Sequence, residues 1–473
     1  MNAALIRIIP VLTLAGCTVG PDYTAPHLTE VTSFAAAPAP ETSEAFPLDW
    51  WATIDDPTLH QLLKTASRQN LDIAIARARL REARAGVRAT ASANQPRFGT
   101  GGSASRQRQS DNSPTLPPLP PGTPFPLETD VFRAGFDASW ELDVFGGNRR
   151  ANEAAEARLE ATTANAAEVM HSLLAEVALN YIELRSLQQR ADNVRRSIAL
   201  QAKTVTLVES LREAGLATDL EVSQARAQWL LTQASLPGLR SSIDQRGFQI
   251  DVLLGRAPDT HADLWSQSGQ FPEMPVDTLL RLPADVLRHR PDVRTVERRL
   301  AAETAEIGQA RADLLPKFSL NGGFGVESGS TGNLFTSASR NWTLGPGVQW
   351  ALFEGGRIRA NIEAQSAQTD AARATYEQVV LRALQEVDTA WVALQQEGQT
   401  ELHLAASRAE LENALKLANS LYREGLSPLR DVLEAEARLI VTKNQHVESV
   451  SRQWSNLIRL YKAMGGGPTP TTS

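Results

Sequence analysis

Between Phe132 and Leu142 the even positions Phe132, Ala134, Phe136, Ala138, Trp140 and Leu142 are apolar, while Arg133, Gly135, Asp137, Ser139 and Glu141 between them are polar or small. This period of two predicts a strand with one apolar and one wet face. Trp342, Leu344, Val348, Trp350 and Leu352 repeat the pattern, and so do Phe318, Leu320, Phe324 and Val326 against Ser319, Asn321 and Glu327. A fourth stretch, Phe98 to Arg106, shows it weakly because Gly, Ser and Thr fill most positions. Elsewhere the period is helical: Leu173, Val177, Tyr181, Leu184, Leu187, Ala191, Val194 and Ile198 recur every three or four residues, as do Val380, Leu384, Val387, Trp391 and Leu394. Asn148 to Ala214 holds no proline and no interior glycine, which predicts one helix of 67 residues, roughly 100 Å long at 1.5 Å per residue. Arg357 to Glu424 predicts a twin of 68 residues with only Gly398 inside. Shorter helices are expected over Pro57–Asn94, Leu220–Leu254, Pro283–Leu314 and Leu429–Met464.

The pattern occurs twice. Trp140-Glu141-Leu142 and Gly146-Gly147 return as Trp350-Ala351-Leu352 and Gly355-Gly356, the glycine pairs standing 209 residues apart. Gly215-Leu216 matches Gly425-Leu426, Glu221-Val222 matches Asp431-Val432, and upstream Asp72, Pro96 and Phe98 match Asp292, Pro316 and Phe318. The chain therefore reads as a duplicated helix, strand, strand, long helix, helix unit. The first copy comprises a helix at 57–96, a β-hairpin at 97–146 and a long helix with its partner at 147–255; the second comprises 283–316, 317–355 and 356–465. A linker at 256–282 joins them, and a tail occupies 466–473. Seven prolines between residues 107 and 130 mark the loop of the first hairpin. The glycine pairs read as hinges between strand and helix, and Gly215 and Gly425 as turns between helical partners.

Long Ala-rich helices cannot bury their apolar stripes in one small globule, so they are expected to lie against neighbours in a coiled-coil manner. Four strands of ten or more residues with aromatic ends suit the lipid-facing alternation of an outer-membrane barrel. One chain cannot close such a barrel without open edges, so two, three or four copies would supply eight, twelve or sixteen strands.

The N-terminus narrows the compartment. Arg7, a short apolar run over residues 8–14, and then Ala15-Gly16 predict a signal peptide at 1–16, too short to span a bilayer. Leu14-Ala15-Gly16-Cys17 resembles the lipobox of bacterial lipoproteins, which implies cleavage before Cys17 and a covalent lipid on its sulfur. Thr18 in place of an aspartate favours the outer membrane, with an extended segment over 17–56. The net charge of −7, without a Lys/Arg cluster, argues against a nucleic-acid partner. The seven histidines never take a metal-ligand spacing, no second cysteine exists, and no nucleophile elbow appears, so neither a metal, a further cofactor nor an enzymatic activity is expected.

Val19-Gly20-Pro21-Asp22-Tyr23, Trp50-Trp51, Asp56-Pro57, Asn70-Leu71-Asp72 and the run from Leu282 to Arg294 with Arg290-Pro291-Asp292 at its heart carry a resemblance. The chain resembles the outer-membrane efflux channels of the TolC and OprM type, in the NodT-like lipoprotein branch. That resemblance implies a mostly α fold with a membrane β-barrel: a homotrimer whose twelve-stranded β-barrel continues into a twelve-helix α-barrel across the periplasm. It implies a passive duct of a tripartite efflux system in the outer membrane, contacting outer-membrane lipid and docking with a periplasmic adaptor and an inner-membrane pump of the RND type. Two other readings are a periplasmic adaptor lipoprotein, which would lack four long alternating strands and the duplication, and the outer-membrane channel of a type I protein secretion system.

Each tip turn is followed by carboxylates, Asp219 and Glu221 after Gly215, Asp431 and Glu434 after Gly425. Residues three apart share a helix face, so Asp431 and Glu434 can both face a central axis, where rotational symmetry would make rings of them. Asp431-Val432-Leu433-Glu434-Ala435 resembles the acidic segment that rings the closed entrance in that family, and Tyr422 resembles its latch tyrosine. Glu434 stands where the family has a second aspartate, and Ser427 stands where it has a latch arginine, with Arg423 and Arg430 nearby.

Overall fold

The computed structural model describes residues 18–26, 50–110, 127–262, 265, 269–274 and 290–465. The expected signal peptide, Cys17, most of the proline-rich loop, residues 283–289 of the expected second-copy helix and the expected tail lie outside the described residues. The described residues form two compact units, one within 1–25, 82–160 and 298–374, the other within 26–81, 161–297 and 375–473.

The first unit is built on one antiparallel sheet in the order β1 (Arg97–Arg108), β2 (Glu128–Leu142), β3 (Lys317–Ser328), β4 (Arg340–Gln349). The weakly patterned first strand pairs with β2 along its whole length. Register decides which side chains share a face: Phe98 stands opposite Ala138, Phe136 opposite Phe324, Phe324 opposite Trp342, Trp140 opposite Leu320 and Phe318 opposite Val348. Within the strands the apolar positions of the alternating pattern therefore fall on one side, with Phe98 80% and Trp342 75% exposed. The other side carries Gly, Ser, Asn and Thr together with the Arg133–Glu327 ion pair at 2.9 Å. Strand β4 ends sooner than its sequence suggests, leaving Trp350 and Leu352 outside it. The partner strand begins at Lys317, opposite Gln349, so no ladder position remains for them.

Residues 18–25 belong to this unit. Val19 N–H donates to Phe145 O at 3.2 Å, and Arg150 bonds Val19 O and Asp22 Oδ1 at 3.2 and 2.7 Å. Tyr23 lies beneath the Arg298 guanidinium, 5.2 Å from its ring centroid.

The second unit is helical. It contains α1 (Pro57–Gln69), the start of α2 (Leu71–Ala91), and most of α3 (Gly147–Glu213) and α6 (Arg357–Arg423), each 67 residues long. It also holds α4 (Asp219–Leu253) and α7 (Leu429–Ala463), while α5 (Pro291–Ala312) serves both units. The single helix expected over 57–94 is broken at Asn70. Its backbone turns extended at ψ 139°, and its Oδ1 accepts from Asp72 N and Ile73 N, so one side chain ends α1 and caps α2. The main core packs Trp50, Ile54, Leu59, Tyr181, Ile182, Trp391, Trp454 and Tyr461. Asp56 N-caps α1 through Oδ1, and its Oδ2 accepts the Tyr181 hydroxyl at 2.6 Å. Arg290, buried, donates to Ala463 O, to both Asp292 oxygens and to Glu386 Oε2, tying the Arg-Pro-Asp motif to the end of α7 and to α6.

Candidate functional site

The two tip turns have the same hydrogen-bond design. Gly215 N–H donates to Arg212 O and Leu216 N–H to Leu211 O; Gly425 N–H donates to Tyr422 O and Leu426 N–H to Leu421 O. These are paired six-to-one and five-to-two closures that need a left-handed residue, and Gly215 and Gly425 supply φ of 75° and 73°. The leucine after each glycine is exposed, Leu216 by 75% and Leu426 by 70%. Behind the turns, Val205, Val208, Val222, Ala225, Leu415, Leu429, Val432 and Leu439 form a second apolar cluster, with Tyr422 packed on it.

The carboxylates beyond the turns have different jobs. Glu221 completes a capping box, accepting from Thr218 N at 2.8 Å while Thr218 Oγ1 accepts from Glu221 N at 3.3 Å. Asp219 is exposed and ion-paired with Arg212 at 3.2 Å. Asp431 is half-buried in the first turn of α7, 3.7 Å from the Arg430 guanidinium. Glu434 is exposed and held by Arg438 at 2.5 Å. Burial raises the Tyr422 hydroxyl above its ordinary pKa, and the charge of Glu221 adds to the effect. The structure thus brings Tyr422 and Glu221 into one electrostatic neighbourhood across the two repeats. Arg423, in the last turn of α6, is exposed.

The glycine pairs are not equivalent. Gly355 and Gly356 both have positive φ, whereas in the first copy only Gly146 does, at 79°. Gly147 is instead the first residue of α3, where a Cβ would come within 3.1 Å of the Ala312 methyl. Asp143 accepts from Asn148 N and Arg149 N at 3.1 and 2.9 Å, so a side-chain cap closes this hinge. Counted from its tryptophan, the second copy has Phe353 at the matching place, which offers no carboxylate.

Sequence analysis singled out Arg290 and Asp292 only within a motif, without their contacts to Glu386 and Ala463, and it missed a buried Glu436 on α7, 4% exposed, which accepts from Thr204 Oγ1 at 3.0 Å. The only signal in the sequence is a third acidic residue in Glu434-Ala435-Glu436, with Glu436 two places from Glu434 and so on a different face. No helix among the described residues is long and apolar enough to cross a membrane.

Comparison with known proteins agrees with this architecture. The outer membrane efflux protein family model matches residues 62–256 and 282–466. Nodulation protein T of Rhizobium leguminosarum bv. trifolii is 28% identical over 469 residues, spanning 97% of this chain and 96% of that protein. A toluene efflux pump outer membrane protein of Pseudomonas putida, TtgF, is 31% identical over 485 residues, spanning 99% and 97%. The solved structure of the outer-membrane channel OprN superimposes with a TM-score of 0.87 at 33% identity, covering 96% of this chain and 100% of that one. Duplicated hairpins, paired long helices and these similarities converge: the chain belongs to the outer membrane efflux protein family and is an outer-membrane efflux channel.

Proposed function

We propose that three copies of this chain form a passive duct that receives substrates from a periplasmic adaptor and an inner-membrane pump of the RND type and discharges them outside the cell. The observation that carries this reading is the sheet: one face on which Phe98, Phe136, Phe324, Trp342 and Leu344 are exposed together, and two edge strands, β1 and β4, that pair with no further strand among the described residues. Lipid offers no hydrogen bonds to those edges, so β4 of one copy must meet β1 of the next, and three copies close twelve strands. The exposed Leu216 and Leu426 at the turns supply an apolar surface on which an adaptor can dock.

Asp431 and Glu434 serve as the gate of this duct, repeated by symmetry, with Tyr422, Arg423 and Arg430 on the flanking turn and Asp219 and Glu221 on the matching turn of the first repeat. The covalent lipid is carried by Cys17. That residue immediately precedes Thr18, which lies against Gly146 where the sheet passes into α3, and this supports an anchor at the edge of the barrel. The duct does no chemistry of its own. Purified outer membranes are the decisive material: a heat-modifiable trimer that conducts ions in planar bilayers is expected, and a monomer without conductance would sink the reading.

A further inference from the structure

The helical unit holds a buried polar cluster that the gate residues do not use. Glu436 on α7 is 4% exposed and Gln201 on α3 is 2% exposed. Thr204, three residues along α3, donates its hydroxyl to Glu436 Oε1 at 3.0 Å. Glu436 Oε2 and both amide atoms of Gln201 are buried without a partner among the described residues. Glu436 and Gln201 line a cavity of about 90 Å³, to which α6 contributes Leu415. Three unpaired polar atoms and that volume are what a small group of ordered waters requires.

The charged groups around the cavity are few. From α3 comes Arg196, exposed, and from α7 comes Lys443, whose ammonium is bonded to Glu412 of α6 at 2.9 Å. None of the described residues of α4 lines it. Among the described residues Glu436 has no ion-pair partner, and the one hydrogen bond to its carboxyl is from Thr204. A carboxylate taken out of water without a counter-charge is costly, whereas the neutral acid is not. Burial accordingly raises the Glu436 carboxyl above the ordinary glutamate value, against a smaller opposing effect of the Thr204 hydrogen bond.

We propose that this cavity is a hydrated proton-binding site, in which Glu436 is the neutral acid while α7 is packed on α3, and that loss of its proton loosens α7 from α3 beside the gate. The O–H bond of the acid breaks, its electron pair stays on the carboxylate, and the proton passes to the cavity water and on to solvent. The coupling to gating rests on the duct reading above, because α7 also carries Asp431 and Glu434. The sign follows from linkage: an acid with a raised folded-state pKa favours packing at low pH, and that contribution is lost as pH rises through the raised value.

The test compares the full-length wild type with Glu436→Gln, which keeps the shape and the Thr204 contact but carries no titrating proton. The unfolding midpoint of the wild type is expected to fall relative to Glu436→Gln as pH is raised above the ordinary glutamate range. A difference that does not change with pH overturns the proton site. In planar bilayers the open fraction of the wild type is expected to rise several-fold over the same window, with Glu436→Gln flat; equal slopes overturn the coupling. Glu436→Asp, which retains an acid, is expected to retain a slope, and its loss would overturn the assignment to the carboxyl. Absence of conductance in every form would overturn the duct reading and the coupling with it, while the midpoint comparison still decides the proton site.

Discussion

The indole N–H of Trp140 donates to Asn94 O at 3.0 Å, and 210 residues later Trp350 donates to Leu314 O at the same distance. In both repeats an aromatic ring at the end of a hairpin is bonded to the chain just before the other strand of that hairpin begins. The amphipathic ring suits a membrane–water boundary, where the N–H needs a partner and the ring needs lipid.

Replacing both indoles, Trp140→Phe with Trp350→Phe, removes two hydrogen bonds while keeping aromatic area. Each is worth about 1 kcal/mol. The expected outcome is a lower temperature for dissociation of the proposed trimer on semi-native gels, with conductance per channel unchanged.

Tyr181 is the pivot of a buried network, donating to Asp56 while its oxygen accepts from Arg185 Nε at 3.0 Å and Nη2 at 2.9 Å. Burial first, and then the Asp56 hydrogen bond, pushes its pKa up to about 12. The raised value means that its contribution to folding is intact below the ordinary tyrosine range and is lost as pH rises through about 12. Ultraviolet titration should show a tyrosine ionising near pH 12 that disappears in Tyr181→Phe, and that variant should be destabilised by about 1–3 kcal/mol because Asp56 loses its donor.

Arg290→Ala should be the most damaging of these changes, costing about 3–5 kcal/mol because it strands Asp292 and removes the bond to Ala463 O. It also predicts a change in acid sensitivity. Despite burial, the Arg290 guanidinium holds the Asp292 carboxyl below its ordinary value of 3.8. That contribution is complete above the ordinary value and is lost as pH falls through the depressed one, so the variant should show a shallower loss of stability on acidification. Chemical denaturation at a series of acidic pH values measures it.

Asp431→Ala and Glu434→Ala test the gate. Clustered negative charges attract cations. Each variant is expected to reduce cation selectivity and divalent-cation block in single-channel recordings, with Asp431→Ala the stronger because Asp431 lies farther from its cation, 3.7 Å from Arg430, than Glu434 does from Arg438 at 2.5 Å. Recordings indistinguishable from the wild type would remove both residues from the gate.

Much of the fold was legible because its signals are periodic. Apolar residues at every second place in Phe132–Leu142 define a strand, and uninterrupted helical spacing after Gly147 and Gly356 defines helices whose observed ends lie within a residue or so of expectation. Signals carried by a single side chain were harder to read. Asn70 breaks a helix through two hydrogen bonds to its own Oδ1, and nothing in the apolar spacing around it reveals that. Gly146 and Gly147 look alike in sequence but differ in φ, because the first closes the Asp143-capped turn and the second already belongs to α3.

The sequence by itself determined the two periodicities, the duplication, the turn glycines and the positions of the acidic residues, since each depends on residues close together along the chain. Only the tertiary structure decided strand register, the tie of Arg290 to Ala463 and Glu386, and the burial of Glu436 against Thr204, 232 residues away. The reason is physical: a side chain's charge state and partners depend on what is packed around it, and those neighbours come from elements remote in the chain.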